Sequence, residues 1–226
     1  MVLDLCPGGD LAHHLSVREM FEESEARFFV AEVVLAIEYI HSLNVIYRDM
    51  KPENILVGAD GHIKLADFGL AKEGMSKANS RAKTFVGSPA YLPPEIFQST
   101  GIGKPADVYQ MGAVLYELLL GMPPYYTDNL TRLYQNIQSA TLEIPAVVSP
   151  PARDLLERML QKKPGNRITI PQIKEHAFFG GLDWQKLYEK RIAPPIHLSL
   201  DGDGISEPVL AGADDEESAF LNFGDQ

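Results

Sequence analysis

Apolar positions change their period several times along this chain, and each change predicts an element. From about Ser24 to His41, residues Ala26, Phe29, Val30, Val33, Ile37 and Ile40 recur three and four apart, which gives a long helix one apolar face. Ser24 is a candidate N-cap and Asn44 a candidate left-handed stop. Upstream, Val2-Leu3 running into Pro7-Gly8-Gly9 reads as the end of a strand and a turn. Between 45 and 66 the pattern shortens to three brief strands, Val45-Ile46-Tyr47, Ile55-Leu56-Val57 and Ile63-Lys64-Leu65, with Gly58-Ala59-Asp60-Gly61 turning the second pair. Residues 72–90 are polar and aperiodic, which is loop composition. Helical spacing returns from about Pro105 to Leu120, Asn129 to Ser139 and Pro151 to Leu160, and again briefly from Ile170, where Thr169 and Gln172 match a capping box. After Trp184, Pro194-Pro195, several glycines and Asp214-Asp215-Glu216-Glu217 suggest an extended, partly disordered tail.

Composition narrows the class without naming a function. With 226 residues, 45% apolar and 23% charged, the chain can build a sizeable globular core. Its net charge of −11 argues against nucleic-acid or anionic-membrane partners and suits a protein that receives basic peptides. The single cysteine, Cys6, excludes an internal disulfide framework and fits a reducing compartment. The chain opens without a basic n-region or cleavage site, and its longest strongly apolar stretch, Met111 to Met122, contains Glu117 and is too short to span a membrane. A cytoplasmic or nuclear location is the expectation.

The chemistry is concentrated in two short runs. Tyr47-Arg48-Asp49-Met50-Lys51-Pro52-Glu53-Asn54 is followed, thirteen residues after Asn54, by Asp67-Phe68-Gly69. The pattern is an aspartate, a lysine two residues on, an asparagine five on, and a second aspartate before Phe-Gly. Phosphoryl transfer uses such a set: a carboxylate for the attacking hydroxyl, a cation for the transferred group, and an amide oxygen with a carboxylate for Mg²⁺.

These runs resemble the catalytic and metal loops of eukaryotic serine/threonine protein kinases. The tyrosine before Arg48-Asp49 narrows the resemblance to the group of cyclic-nucleotide-dependent, ribosomal-S6 and Akt-type (AGC) kinases. So do His176-Ala-Phe178-Phe179, Leu182-Asp183-Trp184, Lys190-Arg191-Ile192-Ala193-Pro194-Pro195 and the closing Phe220-Leu-Asn-Phe223. The resemblance implies an α+β, protein-kinase-like fold, here a mainly helical C-terminal lobe with a few short strands over residues 1–180, and a C-terminal tail over 181–226. It implies ATP and Mg²⁺ as cofactors. Asp49 would orient the substrate hydroxyl, Lys51 would neutralise the γ-phosphate, and Asn54 and Asp67 would hold metal. Leu3 falls at the gatekeeper, Asp4-Leu5-Cys6 at the hinge that bonds adenine, and Leu56 at the floor under the base. Asp10, beside the nucleotide site, together with Glu53 and Glu117, matches positions that bind arginine upstream of the target hydroxyl, so the implied substrates are proteins with Ser/Thr near basic residues. Ser88 stands where a threonine usually positions the peptide, and Ala90 replaces a frequent glutamate.

Thr84 falls at the activation-loop phosphosite, where a phosphate could pair with Arg48 and Lys72 and where an upstream activating kinase would act. Pro93-Pro94-Glu95 stands for the commoner Ala-Pro-Glu, with Glu95 expected to pair with Arg167, and Asp107 expected to anchor the catalytic loop. Phe220 and Phe223 read either as a docking motif or as plain acidic tail, since Gly224 follows where relatives carry a phosphorylated or acidic residue.

Neither a Gly-rich loop nor a strand lysine precedes Asp49. The N-terminal small lobe is therefore absent from this sequence, and the surface that would face it is expected to be apolar and open. Two functions follow: part of an active protein kinase, or a truncated, non-catalytic module that presents the peptide groove.

Overall fold

The computed structural model describes residues 4–73, 88–98, 101–197 and 209–210. Helix α1 (Leu11–Arg18) precedes the long helix α2 (Glu23–Ser42), and four short strands follow: β1 (Val45–Ile46), β2 (Ile55–Val57), β3 (Ile63–Leu65) and β4 (Lys72–Glu73). Then come α3 (Lys104–Leu120), α4 (Leu130–Ser139), α5 (Pro150–Met159), α6 (Ile170–Lys174) and α7 (Trp184–Tyr188), and finally β5 (Ile196–His197) and β6 (Val209–Leu210). The strands form antiparallel pairs, β2 with β3 (Leu56 opposite Lys64), β1 with β4, and β5 with β6. Mainly helical with a few short strands, this is the α+β, protein-kinase-like architecture expected.

The core lies where α2, α3 and α5 pack together. In α2 the buried set includes Phe28, Ala31 and Val34 as well as the stripe read from the sequence, because a second side is also covered: the His62 ring lies 5.8 Å from Phe28. Helix α3 is buried at every position from Ala106 to Leu115, as expected of a helix that is apolar all round. The exceptions, Asp107 and Gln110, are polar side chains buried on purpose, as shown below. Gly112 allows α3 to cross α5 closely, since a Cβ there would sit 2.8 Å from the Met159 Cβ.

Several local expectations are corrected. The N-cap of α2 is Glu22 rather than Ser24: Glu22 and Glu25 form a reciprocal capping box, and the Glu25 carboxylate accepts from the Glu22 N–H at 3.0 Å. Helix α5 starts at Pro150, one residue early, capped by Ser149. Residues 72–73, read as loop, pair with β1. Residues 4–6 are not strand, and Val2 and Leu3 lie outside the described residues. Helix α1 gave little apolar signal, because its eight residues include only Leu11, Leu15 and His14 in the core. The segment after Trp184 is not extended from its start: Leu187 and Ile196 are buried, the Trp184 ring packs 5.1 Å from Phe179, and its indole N–H donates to the Lys174 carbonyl at 3.0 Å. Asn44 does adopt the left-handed conformation, φ 60°.

The α3–α5 crossing yields a direct test. Gly112→Ala should force these helices apart and destabilise the protein by about 1–3 kcal/mol, measured as a lowered urea midpoint with unchanged m-value.

Candidate active site

The site is built outward from one carboxylate. Asp107, fully buried in the first turn of α3, accepts from the backbone N–H of Arg48 at 2.8 Å through Oδ1, and from that of Tyr47 at 3.0 Å through Oδ2. The same Oδ2 lies 2.7 Å from Nε2 of His41 at the end of α2. One turn later Gln110 continues the work, its amide donating to the Arg48 carbonyl at 3.1 Å and its oxygen lying 3.5 Å from the Met50 nitrogen. Held at both its N–H and its carbonyl, Arg48 adopts φ 71°. A non-glycine residue there costs on the order of 1–3 kcal/mol and persists only where surrounding bonds enforce it.

The turn presents Asp49, which is buried together with Asn54. The Asn54 amide nitrogen donates to the Asp49 backbone carbonyl at 2.8 Å and to its carboxylate Oδ2 at 2.9 Å, and the Lys51 ammonium lies 3.5 Å from the same Oδ2. Ala66 joins this loop to the second motif: its N–H donates to the Asn54 carbonyl at 2.9 Å, and its carbonyl accepts from the Tyr47 hydroxyl. Asp67 follows at φ 49°, exposed, with Oδ1 accepting from the Gly69 N–H at 3.0 Å. The structure therefore brings Asp49, Lys51 and Asn54 into direct contact and clamps the Asp67 segment beside them.

Donor chemistry here suits a hard cation that arrives with a phosphate. Among the described residues both bonds from Asn54 use its nitrogen, so its amide oxygen could meet a cation, and Asp67 adds a carboxylate. Among the described residues no cluster of three or more His, Cys, Asp or Glu side chains could hold a metal unaided. Magnesium is usually bound in this way, by one or two protein oxygens plus substrate phosphates and water.

The expected nucleotide-facing segment runs along β2. Gly8 N–H donates to the Val57 carbonyl at 3.1 Å and Val57 N–H to that of Gly9 at 2.8 Å, which sets Cys6 to Asp10 beside Leu56. Gly8 has to be glycine, because a Cβ would lie 2.7 Å from Val57. His14 pins the segment with a 2.7 Å contact from Nε2 to the Gly8 carbonyl, and burial pushes its pKa down. Cys6 is a free, partly exposed thiol, and Asp4 is an exposed residue paired with Lys64 at 3.1 Å. Asp10 has a structural task, capping α1 through the His13 N–H at 2.8 Å.

Ser88 opens the turn 89–91, its carbonyl accepting from Tyr91 N–H at 3.1 Å. The Tyr91 hydroxyl donates to Glu117 at 2.5 Å. Burial, reinforced by the nearby Glu53 charge and opposed by the Tyr91 bond, pushes the Glu117 carboxyl up to about 7. Glu95 and Arg167 form the expected pair, two bonds of 2.6 Å with both side chains almost wholly buried. Arg48 Nε donates to the Leu70 carbonyl at 2.6 Å, and Lys72 lies in β4. Leu3, Thr84, Phe220 and Phe223 lie outside the described residues.

Sequence reading missed His41, Tyr47, Tyr91 and Gln110 as supports of the site. Gln110 was within reach, as a polar residue one turn from Asp107 in an apolar helix. The partners of Tyr91 and His41 are 26 and 66 residues away and leave no local trace. Beside the Asp67 segment, a groove of 870 Å³ is bordered by exposed Tyr39, Leu43 and Phe68.

Comparison with known proteins fits this geometry. Residues 1–179 match the protein kinase domain family. The chain belongs to that family. A RAC family serine/threonine-protein kinase homolog of Dictyostelium discoideum is 40% identical over 225 residues, covering 99% of this chain and 51% of that protein. Human serine/threonine-protein kinase Sgk2 is 39% identical over 245 residues, covering 98% and 66%, and human Sgk1 is 43% identical over 205 residues, covering 89% and 47%. These relatives place the kinase chain in the AGC group, and it spans about half to two thirds of their lengths. No helix among the described residues is long and apolar enough to cross a membrane.

The raised Glu117 pKa has a sign that can be measured. An unfolded glutamate titrates near 4.5, so between about pH 4.5 and 7 the folded protein keeps a proton that the unfolded chain has released. Stability associated with Glu117 is thus complete below pH 4.5 and is lost as pH rises through 7. Replacing it by glutamine should flatten that part of the pH–stability curve by up to about 3 kcal/mol, read from urea unfolding of both proteins at pH 5 and 8.

Proposed function

We propose that this chain carries the catalytic large lobe of a protein serine/threonine kinase, which transfers the γ-phosphate of ATP to Ser/Thr hydroxyls in proteins with upstream basic residues. The observation that carries this reading is the buried Asp49–Asn54 pair with Lys51 beside it, hung from Asp107 and clamped to the Asp67 segment through Ala66. A non-catalytic surface has no use for a strained turn that points a buried carboxylate at one place.

In this mechanism Asp49 accepts the hydrogen bond of the substrate hydroxyl and orients its oxygen in line with the γ-phosphorus. As the new P–O bond forms, the bond to the β–γ bridging oxygen breaks, and the hydroxyl proton passes to Asp49. Asn54 fixes the carboxylate through its amide nitrogen, and Lys51 sets positive charge against the transferred group. The Asn54 amide oxygen and Asp67 would hold Mg²⁺, which neutralises phosphate charge when bound. Glu53 and Glu117 face the substrate with charge suited to an arginine fork. Thr84 is the proposed site at which an upstream kinase regulates the loop.

The test is phosphoserine formation by the native polypeptide, isolated through its C-terminal residues and given ATP, Mg²⁺ and a serine peptide with an upstream arginine. Asp49→Asn should lower the rate by roughly 10²–10⁴-fold and leave peptide affinity unchanged. A wild-type polypeptide that binds the peptide and forms no phosphoserine would favour the groove-presenting module instead.

A further inference from the structure

Helices α1 and α3 end side by side. Glu19, just after α1, and Gly121, just after α3, both have positive φ, 64° and 79°. Their backbones touch: a Cβ on Gly121 would lie 2.7 Å from the Glu19 carbonyl oxygen, and Phe21 N–H donates to the Leu118 carbonyl at 2.8 Å. Two helix C-termini, each equivalent to roughly half a negative charge, therefore converge on one place.

Over this junction lies a groove of 500 Å³. Its acidic wall is Glu19, Glu53 and Glu117, and among the described residues no lysine or arginine lines it. Its floor and rim carry Met20, Leu120 and Met122, and the two methionines are 54% and 56% exposed. The groove is continuous with the site described above, since Glu53 lies in the segment between Asp49 and Asn54 and Tyr91 shares the wall with Glu117. Such a surface is complementary to a basic side chain beside an apolar one, and exposed thioethers adapt to varied apolar shapes.

We propose that this groove selects substrates by two features at once: an arginine or lysine between Glu53 and Glu117, and an apolar side chain further from the target hydroxyl, seated on Met20, Leu120 and Met122. This rests on the kinase reading and adds an apolar requirement to the basic one.

The test uses the 226-residue chain and fluorescein-labelled peptides of equal length at pH 8, where Glu117 is ionised. Each peptide has one serine and one upstream arginine, and leucine or alanine is placed in turn at the four positions N-terminal to that arginine. At one position leucine should tighten binding by at least about tenfold over alanine. Met20→Gln combined with Met122→Gln, both at solvent-exposed sites, should abolish that gain and keep the preference for arginine over glutamine. Leucine and alanine binding within twofold at all four positions, with arginine still preferred, would overturn this inference and leave the basic-site reading intact. Arginine outperforming leucine at those positions would also overturn it, assigning the groove to a second basic residue. No loss on replacing the single arginine by glutamine would overturn both readings.

Discussion

The Asp107 carboxylate is the constraint on which the rest of the site depends. It accepts two consecutive backbone N–H groups and meets His41, so α2, α3 and the turn at Tyr47 and Arg48 share one buried acceptor. A carboxylate buried without partners would cost several kcal/mol, whereas this one has its charge met by donors on both oxygens. Its placement is secured in turn by Arg167, which donates to the Pro105 carbonyl two residues before Asp107 and pairs with Glu95. Buried polar contacts thus run from Glu95 through Arg167 and the start of α3 to the Tyr47 and Arg48 amides just before Asp49.

The strain at Arg48 follows from this arrangement. With its N–H drawn to Asp107 and its carbonyl to Gln110, the residue turns left-handed and directs Asp49 towards Asn54 and Lys51. Apolar burial in α2, α3 and α5 supplies the rigidity that keeps this turn in place. The apolar positions hold the polar ones, and the polar ones hold the Asp49 carboxylate.

Much of this was legible in the sequence because the chemistry is local. Asp49, Lys51 and Asn54 lie within six residues, and the capping box at Thr169, the stop at Asn44 and the pairing of β2 with β3 are near-neighbour effects. What escaped depends on tertiary context. Helix α1 is short and weakly apolar, Trp184 and Leu187 find their partners only in the folded lobe, and the Glu22–Glu25 box outcompeted the more usual serine cap at Ser24. The aspartate at position 10 was read for binding, and the structure shows it capping α1 as well. Tyr91 carries no periodic signal, yet it holds the carboxylate of Glu117 on the same wall of the groove.

The most direct measurement is native-state hydrogen exchange at the Tyr47 and Arg48 amides in the wild-type chain and in Asp107→Asn. If one carboxylate holds the turn before Asp49, at least one of these amides should exchange about tenfold faster or more in the variant, while the amides within α2 and α3 stay protected. Unchanged protection at both amides would contradict the account, because the turn would then be held by something other than Asp107.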